Sequence, residues 1–313
     1  MDGVDVAASS LGAWGVPLAV LGGALRVSAP FLFVSLGECI TEKSGRVNLG
    51  LEGTLVMGAM SGYAVSYLSG SAWLGVIGAG VVGAAFGAVH GWLCGRPRVN
   101  DIAVGIALML LGIGLAFFLG KPFIQPTAPR LPAIGLGNFS DIPQVRSALQ
   151  VNALFLLGIV LAPMLRLGLA HTRWGLVLRT VGESAEAARA MGHDVGRVRF
   201  WATVAGGVLA GIGGSFLSLF YPGSYNEGLS SGQGLMAVAL VIFARWDPVR
   251  CLYASLLFGG ATALGPALQS VGVTSGYYLF NAAPYALTLL IMIASSSARR
   301  TSIDQPKELG MAR

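Results

Sequence analysis

Charged side chains are scarce in this chain. Asp, Glu, Lys and Arg make up 11% of the 313 residues, against 54% hydrophobic ones, and the mean hydropathy is +0.71. A water-soluble domain carries about a quarter of its residues as charges, so a soluble fold is excluded. Cysteine is equally rare. Cys39, Cys94 and Cys251 stand apart in or beside apolar runs with no CxxC pair, which supports neither a disulfide framework nor a zinc site. His90, His171 and His193 form no HExxH or other ligand spacing, and no GxSxG elbow or Ser-His-Asp grouping stands out. The nearest approach to a P-loop, Gly114–Pro122, has its first glycine one residue too far away and Pro122 in place of Ser or Thr. Gly232-Gln233-Gly234 with Ala237 mimics a dinucleotide loop but lacks a βαβ unit, and reads as a flexible entry to a short membrane helix. These gaps exclude an ATPase within the chain. No series of Asp, Glu and His crosses the apolar runs as a proton relay requires. The N-terminus carries Asp2 and Asp5 instead of a basic segment, so no cleavable signal peptide is expected.

What the chain has is long apolar runs. Gly53–Val89, Ile102–Gly120, Trp201–Asn226 and Cys251–Ala298 are free of charge, and a span needs about 20 residues. The expected fold is all-α, a polytopic membrane protein forming one domain over 1–313. Candidate spans are Val16–Leu36, Leu55–Leu68, Trp73–Leu93, Ile102–Gly120, Val151–Leu169, Phe200–Tyr221, Cys251–Ser270 and Tyr277–Ala294. Gly234–Ala244 is apolar but short, giving about nine spans within a range of 8–10 transmembrane helices. Pro17, Arg26 and Pro30 interrupt the first run, which predicts a shorter helix preceded by an interfacial piece. Gly83, Gly87 and Gly91 share one face, as do Gly207, Gly211 and Ser215, marking close helix contacts.

Basic residues fall on alternate connections. Lys43 and Arg46, Arg96 and Arg98, the His171–Arg199 stretch, Arg245 and Arg250, then Arg299, Arg300 and Lys307 lie on one side. By the positive-inside bias that side is cytoplasmic, with the N-terminus outside and the C-terminal tail inside. The Pro-rich connection Lys121–Ala148 is placed outside, and its sequon-like Asn138-Phe139-Ser140 is attributed to chance. The formal charge of +6 belongs to the cytoplasmic loops rather than to nucleic-acid binding.

Two polar stretches break the apolar background. In His171–Arg199, Glu183–Met191 reads as a short amphipathic helix punctuated by Gly182 and Gly192. It is either a docking surface for a cytoplasmic partner or a basic loop that only fixes topology. In Gly37–Ala59, Asn48, Gly50, Glu52 and Gly53 run into the next apolar segment, which predicts a helix that is broken or begins inside the membrane. Such backbone survives only buried in protein or lining a cavity. Glu52 is then a functional intramembrane carboxylate with Glu38 as nearest acidic neighbour, or an offset for Lys43 or Arg46; both readings stand. Asn100 or Asp101 caps the span that follows.

Four stretches taken in order resemble the permease subunits of bacterial ABC importers, in the simple-sugar and nucleoside branch. They are GECITEKSGRVNLGLEG (Gly37–Gly53), NDIAVGIAL (Asn100–Leu108), LRTVGESAEAARAMGHDVGRVRFWA (Leu178–Ala202) and ALVIFARWDPVR (Ala239–Arg250). The resemblance covers nearly the whole chain and implies an ABC importer permease fold in the bacterial cytoplasmic (inner) membrane. It implies that the loop at about 171–199 holds the coupling helix, with Gly182, Glu183, Ala187, Ala188 and Gly192 meeting an ATP-binding cassette subunit. It further implies that Asn48, Glu52 and Asn100 lie at or near the translocation path, although helix capping would explain each. No cofactor is expected in this chain, since ATP and magnesium would sit in the ATPase partner. The other implied partners are a second permease, identical or related, an extracytoplasmic substrate-binding protein and membrane lipid. Fine similarity in the first and last stretches favours nucleosides over a pentose or hexose, with branched-chain amino acids more distant. A secondary transporter or channel acting alone is the alternative of a different class.

Overall fold

The structure is a computed structural model that describes residues 15–124, 126–135, 149–270, 280, 282–295 and 305–311. The expectations for the N-terminal leader, the Asn138 sequon and Arg299–Arg300 lie outside the described residues. The chain is all-α apart from two three-residue strands, β1 (Ala133–Gly135) and β2 (Gln150–Asn152), paired antiparallel with Ile134 opposite Val151. Six described helices are long and apolar enough to cross a membrane. They are α1 (Gly15–Lys43), α3 (Ala72–Cys94), α4 (Asp101–Gly120), α5 (Ala153–His171), α8 (Val195–Leu219) and α10 (Pro248–Ser270). Between them stand α2 (Leu51–Ser69), long but richer in small and polar residues, the connecting pair α6 (Arg173–Glu183) and α7 (Ala185–Ala190), and α9 (Gln233–Phe243). Further along come α11 (Ala283–Ser295), which covers part of the expected last span, and α12 (Lys307–Met311) in the C-terminal tail. This is a polytopic membrane protein.

The first helix differs from expectation. It is one helix of 29 residues containing Pro30, with no separate interfacial piece over the described residues, and it carries Glu38 and Glu42 inside it. An interior proline removes one backbone hydrogen bond. Here neighbouring helices enclose the site: every residue from Val27 to Glu42 is buried. Apolar residues on all faces suit such a central helix. Phe31, Leu32 and Leu36 are fully buried in a core shared with α2, α8, α9 and α10.

Helix α8 crosses α3 at the predicted glycines. A Cβ on Gly83 would lie 2.1 Å from the Gly207 carbonyl oxygen, and one on Gly211 would lie 2.2 Å from that of Ala79. The backbones therefore touch, which only small residues allow. At Gly91 the nearest atom is a Phe200 ring carbon at 3.2 Å, so the contact opens toward the C-terminal end of α3.

Candidate functional site

The polar entry to α2 folds as a turn that rises beside α1. Gly45 adopts a φ of +83°. The Asn48 N–H donates to Glu38 Oε1 at 2.7 Å, and Asn48 Oδ1 accepts from the Gly50 N–H at 2.9 Å. Helix α2 then begins at Leu51, with Glu52 buried in its first turn. Neither Lys43 nor Arg46 receives that carboxylate in an ion pair. Arg46 pairs with Asp101 across the neighbouring connection. Glu52 instead faces the start of α9, 178 residues away. Ser230 Oγ donates to Glu52 Oε1 at 2.5 Å and the Gly232 N–H at 3.2 Å, while the N–H groups of Gly234 and Leu235 donate to Oε2 at 2.6 and 3.3 Å.

The geometry follows from helix physics. The first four N–H groups of a helix lack intrahelical partners and carry partial positive charge, so a carboxylate there is favourable. Gly232 turns the chain with φ +79°. A Cβ at Gly234 would sit 2.6 Å from Glu52 Oε2, so glycine leaves the space the carboxylate fills. Helix α9 has 11 residues, about 16 Å at 1.5 Å per residue, roughly half the hydrocarbon thickness of about 30 Å. Its other end is also held. Arg245 and Trp246 both adopt left-handed backbone, φ +52° and +55°. The buried Trp246 indole donates to Glu42, and its carbonyl accepts from Cys39 Sγ at 3.0 Å. The half-helix is thus clamped between carboxylates of α2 and α1.

On the outer side, the segment before α9 packs back into the bundle. The Tyr225 hydroxyl donates to the Ala116 carbonyl at 2.8 Å. Burial and the nearby Glu227 push this phenol up to about 12. A cavity of about 60 Å³ lies between this segment and Val56, Ala59, Ile113 and Phe117. Asn100 stands elsewhere: it is exposed, and its Oδ1 accepts from the N–H groups of Ile102 and Ala103 as the N-cap of α4. Asn48 and Glu52 are therefore brought near one another by the entry to α2, whereas the Asn100 side chain bonds only within its own helix start. All three side chains serve backbone N–H groups.

The polar loop between α5 and α8 holds two helices with a sharp break. The expected punctuation at Gly182 is displaced to Ser184, whose extended backbone ends α6 and whose Oγ caps α7 by accepting from the Ala187 N–H at 3.1 Å. Gly182 lies inside the end of α6 because a Cβ there would be 2.2 Å from the Lys43 carbonyl oxygen. Gly192, at φ +84°, ends the segment after α7. Ala185 and Ala188 face inward, joining Val181 and Val195 in a small apolar cluster. Glu183, Glu186, Ala187, Arg189 and Gly192 are exposed. Of the five residues named for partner contact, Glu183, Ala187 and Gly192 thus face solvent, while Gly182 and Ala188 fix the loop to the bundle. Sequence reading missed the C-terminal tail. Glu308 of α12 accepts from the Ala185 N–H at 2.8 Å and from Arg199 at 2.9 Å. Burial pushes its carboxyl up, but these bonds and the Arg199 charge outweigh that and hold it below the usual carboxylate value.

The fold is an apolar helical bundle with a clamped half-helix and a structured polar loop, and comparison with known proteins gives its family. The family described as branched-chain amino acid transport system / permease component matches residues 20–296. The chain belongs to this permease family. Among individual relatives, the Putative glucose ABC transporter permease protein TsgC13 of Haloferax volcanii is 35% identical over 81% of this chain and 79% of its own length. The Nucleoside ABC transporter permease protein NupC of Lactococcus lactis is 31% identical, covering 87% of this permease and 90% of the relative. The Guanosine ABC transporter permease protein NupQ of Bacillus subtilis is 29% identical, with 86% and 89% covered. The permease has no group of three or more His, Cys, Asp or Glu residues placed to hold a metal ion among the described residues.

Proposed function

We propose that this permease is the membrane subunit of an ATP-driven importer that carries nucleosides inward. The supporting observation for the cargo is the likeness to the nucleoside and guanosine permeases, which runs over 86–87% of the chain and so includes both polar stretches. A simple sugar is the second reading, favoured by the glucose permease at 35% identity. An extracytoplasmic binding protein delivers the cargo, and a second permease, identical or related, completes the pathway in the cytoplasmic membrane. A separate ATPase subunit binds ATP and magnesium and grips the exposed side of α6–α7 through Glu183, Ala187 and Gly192. Gly182 and Ala188 transmit its movement because they seat that loop on the end of α1 and on α8. Asn48, Glu52 and Asn100 act along the path as shaping groups that hold helix ends, not as cargo ligands.

Motion of α6 acts directly on the Lys43 turn, and the next residue back, Glu42, holds the lower end of α9. A rigid element with two arrangements would thereby connect the ATPase to the half-helix. Uptake of labelled nucleosides, ribose, glucose and leucine is measured in cells with and without the permease, before and after ATP depletion. Loss of ATP-dependent nucleoside uptake alone is expected. Loss of sugar uptake alone replaces the cargo, and permease-dependent uptake that survives ATP depletion refutes the importer.

A further inference from the structure

A cavity of about 250 Å³ opens at the cytoplasmic end of the bundle, away from the half-helix cap. Its wall carries Lys43 from α1, Arg166 from α5, Arg179 from α6, and Arg245 and Arg250 from the turn into α10. Among the described residues of the lining, Asp247 is the one carboxylate, and it is already engaged. Its Oδ2 meets Arg166 at 3.3 Å, and its Oδ1 accepts from the N–H groups of Val249 and Arg250 at 3.0 Å each. Cations from four separate segments therefore converge on one concavity, and among its described lining residues Lys43, Arg179 and Arg250 have no ion pair to Asp247. The Arg179 guanidinium is held in place by the carbonyls of Gly175 and Ala170, at 3.4 and 3.3 Å.

The surroundings identify the anion's source. The cavity lies where α5 and α10 pack together, and both helices are apolar and exposed above it. On α5, Leu157, Val160, Met164 and Leu167 are 51–61% exposed, and on α10 Tyr253 and Leu257 are 65% and 48% exposed. Apolar helix faces that end in a basic pocket match a phospholipid, with acyl chains along the helices and the phosphate in the pocket. Basic pockets between transmembrane helices on the cytoplasmic side bind anionic headgroups, and the positive-inside bias puts this end there. We infer that this pocket is a binding site for the phosphate of an anionic phospholipid of the cytoplasmic leaflet. The inference is independent of the cargo and of the coupling assignment, and requires only that the bundle be inserted in this orientation.

The test uses the full-length permease, purified in detergent, with retained lipid counted by native mass spectrometry during titration with phosphatidylglycerol or phosphatidylcholine. The wild type should retain phosphatidylglycerol through detergent exchange and release phosphatidylcholine. Each cation near the surface is worth roughly fivefold in affinity. The double variant Lys43→Gln/Arg250→Gln should therefore bind about 25-fold more weakly, and Arg179→Gln about fivefold. Arg197→Gln, at an 84% exposed side chain outside the pocket, should leave binding unchanged. Arg250→Lys keeps the charge and should bind nearly as the wild type does, which keeps the test valid if the double variant fails to fold. Equal retention of the two lipids by the wild type, or undiminished phosphatidylglycerol binding by Arg179→Gln, overturns the site. Inorganic phosphate that binds with the same variant dependence while phosphatidylglycerol does not would overturn the lipid assignment in favour of a soluble anion. Variants that change the oligomeric state and not lipid retention overturn it in favour of a contact between protein chains.

Discussion

Replacing Glu52 gives a direct measure of what the buried carboxylate does. In Glu52→Ala, the N–H groups of Gly232, Gly234 and Leu235 and the Ser230 hydroxyl lose their acceptor. A buried donor left without a partner costs about 1–3 kcal/mol. The four are not additive, since one water or a shift of α9 relieves several at once, and breaking a buried charged interaction as a unit costs about 3–5 kcal/mol. Glu52→Gln keeps one acceptor oxygen but turns an amide NH2 toward other N–H groups, for a loss of about 1.5–3 kcal/mol. In thermal unfolding of purified permease, at about 2 °C or more per kcal/mol for a large chain, the alanine variant should melt several degrees lower and the glutamine variant about half as far. Uptake should fall through the maximal rate, with the KM for cargo little changed, because the cap positions α9 without touching cargo. An alanine variant with an unchanged melting temperature and a raised KM would refute this reasoning and make Glu52 a cargo ligand.

The remaining predictions concern packing, the loop and its tail. Gly83→Ala places a methyl 2.1 Å from the Gly207 carbonyl and should cost about 1–3 kcal/mol or more, seen as a lost yield of folded protein. Gly114→Ala, with nothing within 4 Å, should be tolerated in the same expression test. Glu183→Lys reverses an exposed charge that sits 3.7 Å from Lys307; it should leave insertion intact and lower ATP-driven uptake about tenfold if the ATPase docks there, and normal uptake would remove Glu183 from the docking surface. The Glu308 carboxyl is depressed in the folded state, so its contribution is fully present above the ordinary value of 4.5 and is lost as pH falls through the lower folded value. The protection factor of the Ala185 amide, measured against intrinsic exchange at each pH, should fall over that acid window in the wild type, whereas Glu308→Gln should already show low protection at neutral pH.

The parts of the fold that were legible in the sequence depend on local periodicity. Charge-free runs marked most of α3, α4, α8 and α10, and glycines four residues apart marked the α3–α8 contact because a backbone approach needs repeated small residues on one face. A cap at Asn100 or Asp101 was legible because capping uses the next two or three N–H groups, and the structure gives the role to Asn100. The end of the polar helix at Ser184 was misplaced, since a serine cap signals as strongly as a glycine and both stood in the window. Helix α1 was read too short because Pro30 and Arg26 look like interruptions; burial among neighbouring helices overrides that local cost. Least legible were the partners of Glu52, Glu42 and Glu308. Their hydrogen bonds join residues 178, 204 and 123 positions apart, and no local pattern encodes such a pairing.

Three buried acids inside the helices share a physical purpose. Each serves a segment that leaves regular helix: Glu38 the turn through Asn48, Glu52 the entry to α9, and Glu42 the left-handed exit at Trp246. Backbone that departs from helix within a bilayer loses its intrahelical partners and finds no water to replace them. A carboxyl group offers two oxygens from one side chain to donors that the helix has left without partners. An apolar chain with very few charges therefore places acids inside its helices where the fold is interrupted. These interruptions divide one pass of the bundle into a half-helix with two fixed ends, which can be tilted as a rigid piece without breaking hydrogen bonds along its length.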